Sequence, residues 1–268
     1  MASARTRRPI EWSWLRAEVS SATDAFIAQL DGLTGNERVP NLAWTVAELA
    51  AHLASLPGLY AEQHDIGAAF VPPQDWAEFS IDVRLHIPTD DLSEVAELLR
   101  TNVNGFLDEI DDVTTPRWLY GQETTDGNVA GAILVELVMH GQDLGRLTGA
   151  KPKLTREQAE AGLPNVMAIA PPFVDAGKAR AVPGTYHLGF RGNGGDWTYA
   201  VSPDGVLSVS EGRPDRADAR MNADAAAFLL ISLGRLNPYL AAMKGQTIAY
   251  GRKPWKLKAL GEVAVDGV

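Results

Sequence analysis

Residues 129 to 141 read VAGAILVELVMHG, and in this run Glu136 and His140 are the only strongly polar side chains. The apolar spacing predicts a helix from Asn128 to Thr148 that stops at Gly149, with Pro152 just beyond. At about 100° per residue, Glu136 and His140 lie on one stripe of that helix, bordered by Val129 and Ile133 on one side and Leu144 and Leu147 on the other. A carboxylate in such a setting is largely desolvated. Leaving it unpaired costs several kcal/mol, so it must be protonated, paired with a cation or bound to a metal. The spacing i, i+4 brings a carboxylate and an imidazole close enough to hold one ion. The competing reading is an ordinary helix-surface ion pair facing solvent or a second domain, and spacing alone leaves both open.

Working outward, the first half of the chain reads as four amphipathic helices. The first runs from Trp12 to Leu30 and is broken by Gly32 and Gly35. The second opens at Thr45, with Glu48 three residues on as a capping box, and carries Val46, Leu49, Leu53, Leu56 and Tyr60 at helical spacing. Pro57 is expected to kink it or end its first part. The stretch from Phe70 to Pro88, rich in proline and aromatic residues, reads as a long irregular connection covering something. The third helix follows from Asp91 to about Ile110. His52 sits on the edge of the second helix's apolar face, between Leu49 and Leu56, where a neighbouring helix can bring it to Glu136 and His140. Two histidines and one glutamate with open coordination positions suit a catalytic zinc site, and equally non-heme Fe(II). His64, His86 and His187 have no partner at ligand spacing and read as structural or exposed. Asp143 and Glu48 read as supporting groups: Asp143 is turned roughly 60° off the ligand stripe, and Glu48 is engaged in the capping box.

A weaker helical stretch from Thr155 to about Leu163, then Pro171 and Pro172, reads as the last element of the bundle plus a linker. After Pro183 the texture changes to short alternating runs such as Tyr186, Leu188, Phe190 and Trp197, Tyr199, Val201, punctuated by Gly192 to Gly195 and by Pro203, Asp204, Gly205. A helix from Ala223 to Leu233, a strand from Thr247 to Tyr250 and a final helix from Trp255 to Leu260 complete a small α+β domain. The predicted division is therefore 1–180 for the helical bundle with linker and 181–268 for the α+β domain.

Composition limits the function classes. The chain has 268 residues, 46% of them hydrophobic, which is ample for a sizeable core. A formal charge of -10 and a pI near 5.0 argue against sequence-independent nucleic-acid binding, which needs a basic face. Arg5, Arg7 and Arg8 read as a solvated leader and imply no partner. No segment reaches the roughly 18 uninterrupted apolar residues of a membrane span, and the N-terminus lacks a secretory pattern, so a cytoplasmic protein with no membrane partner is expected. With no cysteine in the chain there is no disulfide, thiolate ligand or cysteine nucleophile, and any sulfur chemistry needs an external thiol.

Two segments, WTVAELAAHL from Trp44 to Leu53 and ELVMHGQDLGRLTG from Glu136 to Gly149, resemble the mycothiol-dependent maleylpyruvate isomerase family of the DinB-like superfamily. Trp44, Thr45 and His52 match its first motif, and Glu136, His140 and Asp143 its second; Gln142 stands where the family commonly has tryptophan. ADARMNADAAAFLLISLGRLNP, from Ala217 to Pro238, resembles the family's C-terminal region, which is similar to sterol-carrier-type domains. The resemblance implies an α+β protein with a DinB-like four-helix bundle followed by a sterol-carrier-like domain. It carries the metal ligands onto His52, Glu136 and His140 and the functional arginine onto Arg235, which read from residues alone is equally a helix cap. It also implies zinc or another divalent metal, with mycothiol as thiol cosubstrate: the thiolate attacks a small electrophile, as in an isomerase or an S-transferase. A non-heme iron oxidoreductase on the same triad and a non-catalytic lipid-carrier-like module are the alternatives. The electrophile and the oligomeric state are not legible.

Overall fold

The computed structural model describes residues 7–70, 87 and 90–265. Most of the connection expected between Phe70 and Pro88, with His86, lies outside the described residues, as does Arg5. The chain divides into two compact units, Ile10–Leu154 and Thr155–Val268 joined by the start of the chain.

The first unit is the expected bundle. Helix α1 (Trp12–Ile27) ends in a 3-10 turn from Ala28 to Leu30, and α2 spans Val46–Ile66. Helix α3 (Leu92–Asp108) starts on Asp91, whose carboxylate accepts the Ser93 and Glu94 amides, and α4 spans Asp126–Thr148. Pro57 neither ends nor divides α2. It is itself buried, and apolar contacts on both sides of it, through Leu53, Leu56 and Tyr60, hold the helix together despite the missing amide hydrogen bond. Leu49 and Leu53 of α2, Leu99 of α3, Phe26 of α1 and Ile133, Leu134 and Leu137 of α4 form the fully buried core. Between α3 and α4 lies a hairpin the sequence reading did not find, β1 (Pro116–Leu119) and β2 (Gln122–Thr125).

The second unit begins earlier than expected. Helix α5 (Arg156–Ile169), read from sequence as the end of the bundle, belongs to the C-terminal unit, so the boundary falls at Thr155 rather than near residue 180. Its apolar side faces the sheet, where the Tyr199 hydroxyl meets Met167 Sδ at 3.3 Å, and Glu160 accepts the Asn193 amide at 2.9 Å. The short α6 (Ala176–Ala179) then leads into β3 (Gly184–Phe190), β4 (Asp196–Val201), β5 (Leu207–Glu211) and β6 (Ala219–Ala223). Helices α7 (Ala225–Ser232) and α8 (Pro238–Met243), strand β7 (Thr247–Tyr250) and α9 (Lys256–Leu260) complete it. The sheet order is β5-β4-β3-β6-β7, with only β3 and β6 parallel. Tyr186, Leu188 and Phe190 alternate onto the buried face, where Phe190 meets Phe228 of α7 edge-on at 5.1 Å. His187 points to the opposite face. There its Nε2 bonds Asp196 at 2.8 Å while Nδ1 faces Arg220 at 3.4 Å, and burial pushes its pKa down against the opposing pull of Asp196.

Gly145 shows how tightly the end of α4 is folded back. A Cβ at this position would lie 2.5 Å from the carbonyl oxygen of Ala150, a backbone atom that cannot move aside, so Gly145→Ala is expected to destabilise the bundle by roughly 1–3 kcal/mol. A thermal melt in which the variant unfolds at the parent's temperature would contradict this packing.

Candidate metal centre

The site is built on α2 and α4. Thr45 and Glu48 cap α2 reciprocally: the Thr45 amide donates to Glu48 Oε2 at 2.7 Å, and the Glu48 amide donates to Thr45 Oγ1 at 3.2 Å. This fixes the helix start two turns before His52. On α4, every residue from Val129 to Gly141 is buried except Glu136, which is half-buried. The carboxylate therefore leaves the core at the one point where His52 arrives from the neighbouring helix.

Both imidazoles aim Nε2 at the same carboxylate oxygen. His140 Nε2 lies 3.2 Å and His52 Nε2 3.7 Å from Glu136 Oε2. One ligand atom from each of the three residues lies within 4.8 Å of the others. Four ligands arranged tetrahedrally at about 2.0–2.1 Å around an ion are separated from one another by about 3.3 Å, so these spacings fit a small divalent cation. Two imidazole nitrogens and a carboxylate oxygen are also a donor set that Zn²⁺ and Fe²⁺ both accept. Burial pushes the Glu136 carboxyl up, but hydrogen bonds from His140 and His52, with their charges, outweigh it and hold the group well below the usual carboxylate range. The glutamate is thus an anion that demands positive charge in front of it.

Asp143, one turn beyond His140 and buried, holds the other ring nitrogen: His140 Nδ1 and Asp143 Oδ2 are 3.2 Å apart. With Nδ1 engaged by this carboxylate, Nε2 is the nitrogen turned toward Glu136, and it would offer a lone pair there once an ion takes the place of its proton. Trp44 lies beside both rings, its centroid 4.9 Å from that of His52 and 5.9 Å from that of His140, and the two imidazoles meet edge-on at 5.3 Å. These ring contacts restrict rotation of the two imidazoles.

Sequence reasoning missed the second ring of polar groups. Tyr60 of α2 and Tyr120 of the β1–β2 hairpin both have raised pKa values, chiefly through burial, and both lie near enough to feel the charge of Glu136. Tyr120 is held at its amide, which donates to Gln63 Oε1 of α2 at 2.7 Å. The residue has φ 53° and Gly121 has φ 71°, the pair of positive angles of a type I′ turn. A tyrosine there is strained where asparagine or glycine would not be. The dipeptide Tyr120-Gly121 between two short strands was the available signal, obscured because tyrosine is not a usual turn residue. His64 is not near the triad's chemistry; its Nδ1 accepts the Trp118 amide at 3.2 Å and helps seat the hairpin.

Arg235 lies in the C-terminal unit, just past α7. Its guanidinium Nη1 donates to the Leu233 carbonyl at 2.6 Å, the bond expected of a helix-end cap.

Residues 16–145 match the family model described as the mycothiol maleylpyruvate isomerase N-terminal domain. Among solved structures, the chain is similar to a mycothiol-dependent maleylpyruvate isomerase at 14% identity and TM-score 0.47, over 85% of this chain and 91% of that one. A mutant of such an isomerase aligns at 13% identity and TM-score 0.48, over 90% and 93% of the two chains. A sec-alkylsulfatase from Pseudomonas sp. aligns at 15% identity and TM-score 0.34 over 62% of this chain, which spans only 27% of that enzyme's length. No curated protein matches the chain by sequence.

Because Asp143 holds Nδ1 of His140, Asp143→Asn is expected to weaken divalent-metal binding by roughly 10- to 100-fold while the bundle stays folded. Competition against a chromophoric chelator reads this directly. Unchanged affinity would reduce Asp143 to a packing role.

Proposed function

The N-terminal unit belongs to the mycothiol maleylpyruvate isomerase N-terminal domain family, and on that premise we propose that the protein is a thiol-dependent metalloenzyme with His52, Glu136 and His140 as its metal ligands. The observation that carries this reading is the convergence of two imidazole Nε2 atoms on one buried-side carboxylate oxygen. A divalent ion held there would lower the pKa of a bound thiol and so supply a nucleophile that this cysteine-free chain lacks. The thiol is mycothiol, and the electrophile is a small activated alkene of the maleylpyruvate type or another acceptor in an S-transfer. Zinc is the proposed metal, and the setting is cytoplasmic.

The chain's own groups divide the remaining work. Glu136 and the two histidines bind, with Asp143 fixing the tautomer of His140. Trp44 restricts rotation of the two imidazoles. Tyr60 and Tyr120, kept protonated by burial and by the Glu136 charge, are hydrogen-bond donors for an oxygen of the electrophile as negative charge develops on it. Arg235 is proposed to bind a substrate carboxylate through its planar guanidinium.

Metal analysis of protein purified without added metal, followed by assay of maleylpyruvate isomerisation and of mycothiol S-transfer, tests the proposal. Zinc in near-equal amount to protein with mycothiol-dependent turnover is expected; iron with no thiol requirement would instead favour the oxidoreductase reading. His140→Ala should lose metal and activity together. Arg235→Ala should keep its metal and lose turnover by about 10- to 100-fold if its charge positions substrate; a variant that is fully active but melts earlier would leave Arg235 as a helix cap. Tyr120→Phe should likewise retain metal, and a drop in kcat of about tenfold or more is the expected reading of a lost hydrogen-bond donor.

A further inference from the structure

Large exposed apolar side chains are concentrated in one short part of the C-terminal unit. Among the described residues, Ile66, Leu147 and Val206 are scattered, whereas Tyr239, Leu240, Met243, Ile248, Tyr250 and Trp255 all fall between α8 and α9. Met243 is 76% exposed, Trp255 67% and Tyr239 62%, far beyond what a solvated surface gains from apolar groups. On α8, Met243 stands one turn after Tyr239 and Leu240, on the same side. Lys258 of α9 reaches the Tyr239 hydroxyl, and Trp255 stands one turn before Lys258, so α8 and α9 present a continuous surface. Edge strand β7 adds Ile248 and Tyr250, which share a face.

The segment that forms this surface is basic. Residues 239–260 include Lys244, Arg252, Lys253, Lys256 and Lys258 and no aspartate or glutamate, in a chain whose formal charge is -10. Asp218 offsets part of it, lying 3.5 Å from Arg252 and 3.4 Å from Lys253, and Glu262 lies 3.6 Å from Lys258. Lys244 is exposed, and Arg252 and Lys258 remain 77% and 66% exposed. Protruding tryptophan, tyrosine and methionine in the same short segment as exposed lysine and arginine form a surface matched to a headgroup layer: the rings enter the interface while the cationic groups meet anionic lipid. A second copy of this chain is disfavoured as the occupant, because it would bring two basic surfaces together.

We propose that the α8–β7–α9 surface docks the protein peripherally on an anionic phospholipid bilayer. No helix of the described residues is long and apolar enough to cross a membrane, so the association is interfacial and reversible. It is independent of the metal centre.

Sedimentation of the intact protein with vesicles tests this. Vesicles of two parts phosphatidylcholine to one part phosphatidylglycerol should bind it at low salt, with release at high salt, and pure phosphatidylcholine should bind at least about tenfold less. Lys244→Glu with Lys258→Glu, and separately Met243→Asp with Trp255→Asp, should each cut binding about tenfold or more while the melting temperature and the metal content stay at parent values. The proposal is overturned if the anionic vesicles bind nothing, if phosphatidylcholine binds equally well, or if light scattering shows a dimer that the Met243 and Trp255 changes convert to monomer. None of these readouts depends on thiol chemistry, so they stand or fall separately from the enzymatic reading.

Discussion

The bundle is organised around one electrostatic constraint, the carboxylate of Glu136 in an otherwise buried stretch of α4. An ionised group so placed is tolerable only if positive charge faces it, and the helix supplies one imidazole from its next turn and a second from α2. Those requirements propagate. His140 needs Asp143 to fix its tautomer, and His52 needs α2 to start at a defined residue, which the Thr45–Glu48 box provides. The three residues are therefore a coupled unit whose register is fixed by backbone capping on one helix and by spacing on the other.

The hairpin of the first unit carries backbone strain. The β1–β2 hairpin places Tyr120 at a positive φ, a conformation that a tyrosine adopts at a cost of order 1 kcal/mol or more, and the buried Gln63 holds it there by its amide. Tyr60, rooted on α2 within the rigid core, reaches the same electrostatic environment without that cost.

The two units solve different burial problems. In the bundle, apolar stripes of helices close on one another, and its buried polar groups are individually bonded: His140 to Asp143, Thr23 to the Val19 carbonyl, and Asp126 to Arg117. In the C-terminal unit, one face of a five-stranded sheet is covered by helices, while the other accommodates a buried His187–Asp196 pair beside Arg220. That pair satisfies its own hydrogen bonds. The proline-containing α5 resembles the bundle helices in period and composition, yet its contacts through Met167 and Glu160 are with the sheet unit.

The sequence by itself determined the long helices and the candidate ligands, because both rest on local rules. Helical period, the Thr45 cap and the Gly149 stop are encoded within a few residues, and a glutamate and histidine four apart in an apolar run announce a shared environment wherever that helix packs. What only the tertiary structure decided were the relations between distant residues. The approach of His52 to Glu136, the seating of Tyr120 by Gln63 and the membership of α5 are set by side-chain packing across elements, as is the pooling of aromatic and basic groups on α8, β7 and α9. Local periodicity carries no information on any of these, since a helix's pattern says which face is buried but not which neighbour buries it.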